Sequence, residues 1–115
     1  MTDTLAPKFD DKGLITAVAL DHENGDVLML AHMNREALDA TLSTGRVTYY
    51  SRSRQALWRK GDTSGHTQEL VDMHIDCDQD AIIMRVKQKG AACHLGKRSC
   101  FFRKVEADGT LIDQS

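Results

Sequence analysis

The chain has 115 residues, 41% of them hydrophobic and 28% charged, the balance of one globular domain with room for a core. A formal net charge of −2 and a pI near 6.2 argue against a general nucleic-acid binder. No apolar run approaches the roughly 18 residues of a membrane helix, and Met1-Thr-Asp-Thr-Leu-Ala-Pro7 lacks the basic and apolar segments of an export signal. A cytoplasmic protein is therefore expected, its three cysteines reduced thiols or metal ligands rather than a disulfide framework.

Residues 1–12 are polar and read as a lead-in to a single domain over 13–105. Leu14 to Leu20 is rich in β-branched residues and predicts a strand. Asn24-Gly25 signals a type I′ hairpin, with Val27 to Ala31 returning as the partner strand. Asn34 can cap a helix whose first turn holds Glu36, whose apolar stripe is Ala37, Leu38 and Leu42, and whose C′ residue is Gly45. Strand character resumes over Arg46 to Ser51. Leu70, Val71, Met73 and Ile75 are expected to face the core, and Ala81 to Val86 predicts a mostly buried strand. Phe101, Phe102 and Val105 would close the sheet, leaving 106–115 as a mobile polar tail.

Between Arg46 and Gly61 lie Arg46, Arg52, Arg54, Arg59 and Lys60, with no acidic residue and with serines interleaved; Ser64 and Gly65 follow. Guanidinium forks, hydroxyls and exposed backbone N–H groups suit phosphate, although a run of this kind alone is also what a solvated basic loop shows. Trp58 is available to stack on a base, the core being the more usual place for a tryptophan.

Asp76-Cys-Asp-Gln-Asp80 opens like a calcium loop, but Ala81 stands where that loop needs glycine and Lys87 where it needs glutamate. On an extended segment Asp76, Asp78 and Asp80 would share one face, suited to a hard ion such as magnesium, with Cys77 on the other. A solvent-exposed acidic turn is the competing reading. Cys77, Cys93 and Cys100 lack the paired knuckles of a zinc ribbon and supply only three soft ligands. A fourth ligand would be a water, as in catalytic zinc sites, or a histidine among His94, His66 and His74. Three thiolates would activate water weakly, so a nearby base would help, and His94 is the natural candidate.

Together these segments resemble the phosphoribosyl-AMP cyclohydrolase family. The resemblance is carried by Val27 to Leu38, Tyr50-Ser-Arg-Ser-Arg54, Leu57-Trp-Arg-Lys-Gly61, Thr63 to Gln68, Asp76 to Ala81 and Ala92 to Arg103. It implies hydrolysis of the N1–C6 bond of the adenine ring in N1-(5-phosphoribosyl)-AMP, an early step of histidine biosynthesis. It also implies a homodimer, with zinc held by Cys77 of one subunit and Cys93 and Cys100 of the other, and magnesium held by Asp76, Asp78 and Asp80. Arg52, Arg54, Lys60, Ser64 and Trp58 would then bind substrate, and His94 would be the catalytic base. Gln79 and Ala91 stand where many relatives carry glycine and proline, and Asp62 where many carry glutamate. The expected fold is α+β and mainly β: twisted antiparallel sheets, one clear helix and an intertwined dimer. The alternative from another class is a zinc-stabilised nucleotide-binding or interaction module without catalysis.

Overall fold

A computed structural model describes residues 4–115. The elements in order are β1 (Ile15–Asp21), β2 (Val27–Met33), α1 (Arg35–Thr44), β3 (Thr48–Ser51), β4 (Ala56–Arg59), β5 (Gln68–Ile75), β6 (Ala81–Gln88), β7 (Arg103–Val105) and β8 (Leu111–Asp113). The fold is α+β and mainly β. A four-stranded sheet runs in the order β2-β1-β6-β5, with β3-β4 and β7-β8 as separate two-stranded sheets.

The expected antiparallel sheets are corrected at the centre: β1 and β6 pair in parallel, from Thr16 opposite Ala81 to Asp21 opposite Val86. Such a pair needs a crossover rather than a hairpin, and here β2, α1, β3, β4 and β5 supply it. Strand periodicity places Ile15, Ala17 and Ala19 of β1 with Ile82, Met84 and Val86 of β6 on the buried face. β6 therefore alternates rather than being mostly buried, and its Ile83 is exposed. Val71 is exposed too, because the β5–β6 register shifts between Leu70 and Asp72.

Asn34 caps α1 by accepting the Ala37 N–H at 2.9 Å, and Gly45 closes it at φ 75° with its N–H on the Thr41 carbonyl. The buried stripe is Ala37, Leu38 and Thr41; Leu42 points outward. Thr41 earns its buried place by bonding both its own helix, at the Ala37 carbonyl, and the N–H of Thr48 in β3. The β1–β2 hairpin forms, but with a longer connection than a type I′ turn: only Gly25 takes positive φ, and its N–H reaches the Asp21 carbonyl at 2.8 Å. Phe101, Phe102 and Val105 do not close the main sheet, and Phe101 and Val105 are exposed. The chain end is a hairpin instead of a free tail, tied back where the Gln114 N–H meets the Phe102 carbonyl at 2.7 Å.

Candidate active site

The loop after β6 sets two thiols side by side. The Cys93 N–H donates to the Lys97 carbonyl at 3.1 Å and the Gly96 N–H to the Cys93 carbonyl at 3.0 Å, folding the loop back on itself. The Cys100 N–H donates to the Leu28 carbonyl at 2.7 Å, which fixes the second thiol against β2. Arg98 locks the loop to the first hairpin through Asp21 at 2.7 Å and Asp26 at 2.9 Å. Cys93 is buried, its sulfur facing the Leu95 N–H at 3.4 Å, and it lies close enough to Cys100 to perturb that thiol. Burial, reinforced by the neighbouring Cys93, pushes the Cys100 thiol above its ordinary value. Two adjacent free sulfurs with a backbone donor aimed at one of them are a fitting partial ligand set for a soft ion.

Lys60 is turned inward, only 8% exposed, rather than out toward solvent. Its Nζ donates to the Ala92 carbonyl at 2.7 Å and lies 5.6 Å from the Trp58 ring centre. Burial lowers its pKa, while the two nearby thiols act in the opposite direction. Trp58 leans on Tyr49 with ring centres 5.1 Å apart. Tyr49 is fully buried and donates to the Gln68 side-chain oxygen at 2.7 Å; Gln68 in turn donates to Gln88 at 2.8 Å. This buried polar chain braces the wall on which Trp58 and Lys60 stand.

The acidic segment is a tight turn between β5 and β6 rather than an extended ladder. Asp76 Oδ1 accepts the Asp80 N–H at 2.9 Å and the Ala81 N–H at 3.3 Å. The Asp80 N–H bond is the main reason the Asp76 carboxyl is held below its usual range. Asp80 is raised by its hydrogen bond with Asp76 and by the Asp76 charge, and Asp78 adds to the effect. Asp76 and Asp80 resist ionising together, and such a carboxylate pair suits a hard cation as part of a ligand set. Gln79 sits at φ 59°, the left-handed region, so the backbone wants glycine there. Its side chain accepts the Ala6 N–H at 2.7 Å and its carbonyl the Lys8 N–H at 2.7 Å, which pins the lead-in to the turn. Cys77, exposed, occupies the same tip.

Cys77 precedes β6, whereas Cys93 and Cys100 follow it. The eight residues of β6 span roughly 25 Å at strand rise, so the two thiol positions lie at opposite ends of the sheet. Among the described residues of the single chain, no three His, Cys, Asp or Glu side chains come together as a metal site.

The basic stretch is split. Arg52 and Trp58 line one cavity, and Arg54, Lys60 and Ser64 line another on which Trp58 also borders. His94 is exposed beside Cys93, with no hydrogen-bond partner among the described residues. Sequence reasoning missed the inward turn of Lys60, the Tyr49-Gln68-Gln88 chain, and His32, which lines the Arg52 cavity. The signal for Gln68 was a polar residue in a core slot of an alternating strand; for His32 no motif pointed to phosphate.

Two cation-lined cavities that share Trp58, carried on a small mainly-β frame, are the kind of concave, charged site that takes a small anionic molecule. Residues 29–102 match the model of phosphoribosyl-AMP cyclohydrolase. The chain is 65% identical to the phosphoribosyl-AMP cyclohydrolase of Bradyrhizobium diazoefficiens over 89% of this chain and 73% of that one. It is 56% identical to that of Sphingopyxis alaskensis, over 96% of this chain and 87% of the relative. With Hyphomonas neptunium the figure is 58%, over 91% and 80%. The chain belongs to the phosphoribosyl-AMP cyclohydrolase family.

Proposed function

We propose that this enzyme hydrolyses the N1–C6 bond of the adenine ring in N1-(5-phosphoribosyl)-AMP to the formimino-carboxamide nucleotide, an early step of histidine biosynthesis. The observation that carries the reading is the similarity to curated cyclohydrolases over nearly the whole chain, with the thiols, the acidic turn and the basic stretch all inside the matched residues.

Alkylation at N1 makes C6 electrophilic. Water adds its oxygen to C6, the C6–N1 bond breaks, and the exocyclic nitrogen remains as the carboxamide. His94, exposed and uncommitted, takes the proton from water and returns it to the departing N1. Cys77, Cys93 and Cys100 would hold zinc, which supplies, when bound, a Lewis acid that makes water more acidic. Asp76, Asp78 and Asp80 would hold magnesium, whose charge suits phosphate. Arg52, Arg54 and Ser64 bind the phosphates and Trp58 offers a ring face to the base. Lys60 acts from within the wall, tying the Ala92 carbonyl beside Cys93. Free thiols suit a reducing compartment, and no helix among the described residues is long and apolar enough to cross a membrane; we read the enzyme as cytoplasmic.

The zinc site is shared in a homodimer on this reading. Support comes from the separation of Cys77 from Cys93 and Cys100 along β6, too long for one chain to close. An apolar row across the open sheet face adds to it: Leu30, 47% exposed, and Ile83, 44% exposed, flank Val18 in register.

Subunit mixing tests the reading. Cys77→Ser and Cys93→Ser chains are each inactive alone. Mixed under exchange, half the dimers are heterodimers with one intact site, so roughly a quarter of wild-type turnover returns. No recovery, with exchange shown separately, would rule out the shared site. Absence of turnover in the zinc-loaded wild type would leave the non-catalytic alternative.

A further inference from the structure

The cavity between the lead-in, β2 and the β3–β4 turn has a volume of about 630 Å³. Lys12, His32, Ser51, Arg52, Ser53 and Trp58 line it, and no carboxylate does. The neighbouring cavity, about 510 Å³, holds Arg54, Lys60, Thr63 and Ser64, shares Trp58, and includes Asp62.

We propose that the first cavity is a separate phosphomonoester subsite in which His32 and Lys12 join Arg52, so that the two phosphates of the substrate lie on opposite sides of Trp58. The inference rests on the functional reading above, which supplies a substrate with two phosphates.

Arg46 and Arg59 meet Asp62, Arg85 meets Asp72, and Arg98 meets Asp21 and Asp26. Arg52, by contrast, has no hydrogen bond or ion pair among the described residues, although it borders a concave site. A guanidinium left without a carboxylate in such a place keeps its fork for an incoming oxyanion.

Ser51 and Ser53 hydroxyls stand within 3.4 Å of each other and can turn outward as donors. His32, half-buried, is held below its ordinary pKa by burial and by the Arg52 cation, with Asp10 opposing. Asp10 is itself engaged by the N–H groups of Lys12 at 2.8 Å and Leu14 at 2.9 Å. A dianion placed between His32 and Arg52 removes the repulsion between them. Trp58 is braced by Tyr49 on the buried side and overlaid by Lys60, so the cavities stay distinct. A ligand with an anionic group at each end and a flat base between them fits that division.

The test uses zinc-loaded enzyme, the full substrate, and two analogues each lacking one phosphate. Arg52→Met, His32→Gln and Arg54→Met are compared by steady-state kinetics and by equilibrium titration of Trp58 fluorescence, Trp58 being the sole tryptophan. With full substrate each variant should raise KM, roughly tenfold for a lost charge-assisted contact, and lower kcat far less. The Arg52→Met and His32→Gln penalties should vanish with one analogue, and the Arg54→Met penalty with the other. If all three penalties vanish with the same analogue, or persist with both, the subsite is refuted. A His32→Gln variant that lowers kcat with KM unchanged also refutes it. The fluorescence titration decides the point independently of turnover, whose absence in wild type would count against the functional reading instead.

Discussion

Three glycines with similar backbone angles should respond very differently to a single added methyl. Gly61, Gly90 and Gly96 have φ of 89°, 72° and 84°, so alanine at each carries the left-handed penalty of about 1–2 kcal/mol. At Gly96 a Cβ would meet nothing within 4 Å, and that penalty is the whole cost. At Gly90 it would lie 2.5 Å from His66 Cδ2, a side chain that can swing at some expense. At Gly61 it would lie 2.6 Å from backbone atoms of His66 and Thr67, which cannot move without shifting the segment that enters β5. Adding an overpacking cost of 1–3 kcal/mol, low in that range at Gly90 and high at Gly61, orders the losses. We expect about 1–2 kcal/mol for Gly96→Ala, about 2–4 for Gly90→Ala and about 3–5 for Gly61→Ala. Urea unfolding at one fixed protein concentration measures this. Coincident midpoints for Gly61→Ala and Gly96→Ala would refute the reasoning.

Other outcomes follow from the site. His94→Ala should lower kcat by roughly 10²–10⁴-fold with zinc content unchanged, and near-normal turnover would shift the base to His66 or His74. Asp78→Asn and Asp80→Asn should fold and keep zinc but lose activation by added magnesium; unchanged magnesium dependence would make the segment a surface turn only. Asp21 is held below its usual range first by the Glu23 N–H and then by Arg98, so its stabilisation is present above the unfolded carboxylate range and disappears as pH falls through the folded value. Asp21→Asn should therefore be less stable than wild type at pH 7 and equal to it in acid, as thermal melts across pH would show.

Local chemistry was legible in the sequence and long-range geometry was not. Asn34 and Gly45 marked the helix ends because a cap needs only neighbouring atoms. The hairpin at Gly25 was legible as a hairpin, but its length depended on Asp21, which also serves Arg98 far along the chain. The parallel pairing of β1 and β6 left no local mark, since both strands alternate just as antiparallel ones do. The thiols, carboxylates and arginines could be named as chemical types. That Arg52 and Arg54 open into different cavities follows from the β3–β4 turn, and that Lys60 turns inward follows from the Ala92 carbonyl, which lies 32 residues away.

The β1–β6 pairing also bears on the order in which the chain can assemble. β1 and β2 are joined by a short connection and can pair as soon as both have left the ribosome. The other edge of β1 must wait for about 60 residues of crossover before β6 exists. Closing that loop costs about 2 kcal/mol more chain entropy than closing the first hairpin. Until then an apolar strand presents an open ladder of N–H and C=O groups to any other nascent chain. The slow, vulnerable step in biogenesis is thus the capture of β6, and substitutions that weaken the β5–β6 hairpin should lower soluble yield more than their effect on the finished protein would suggest.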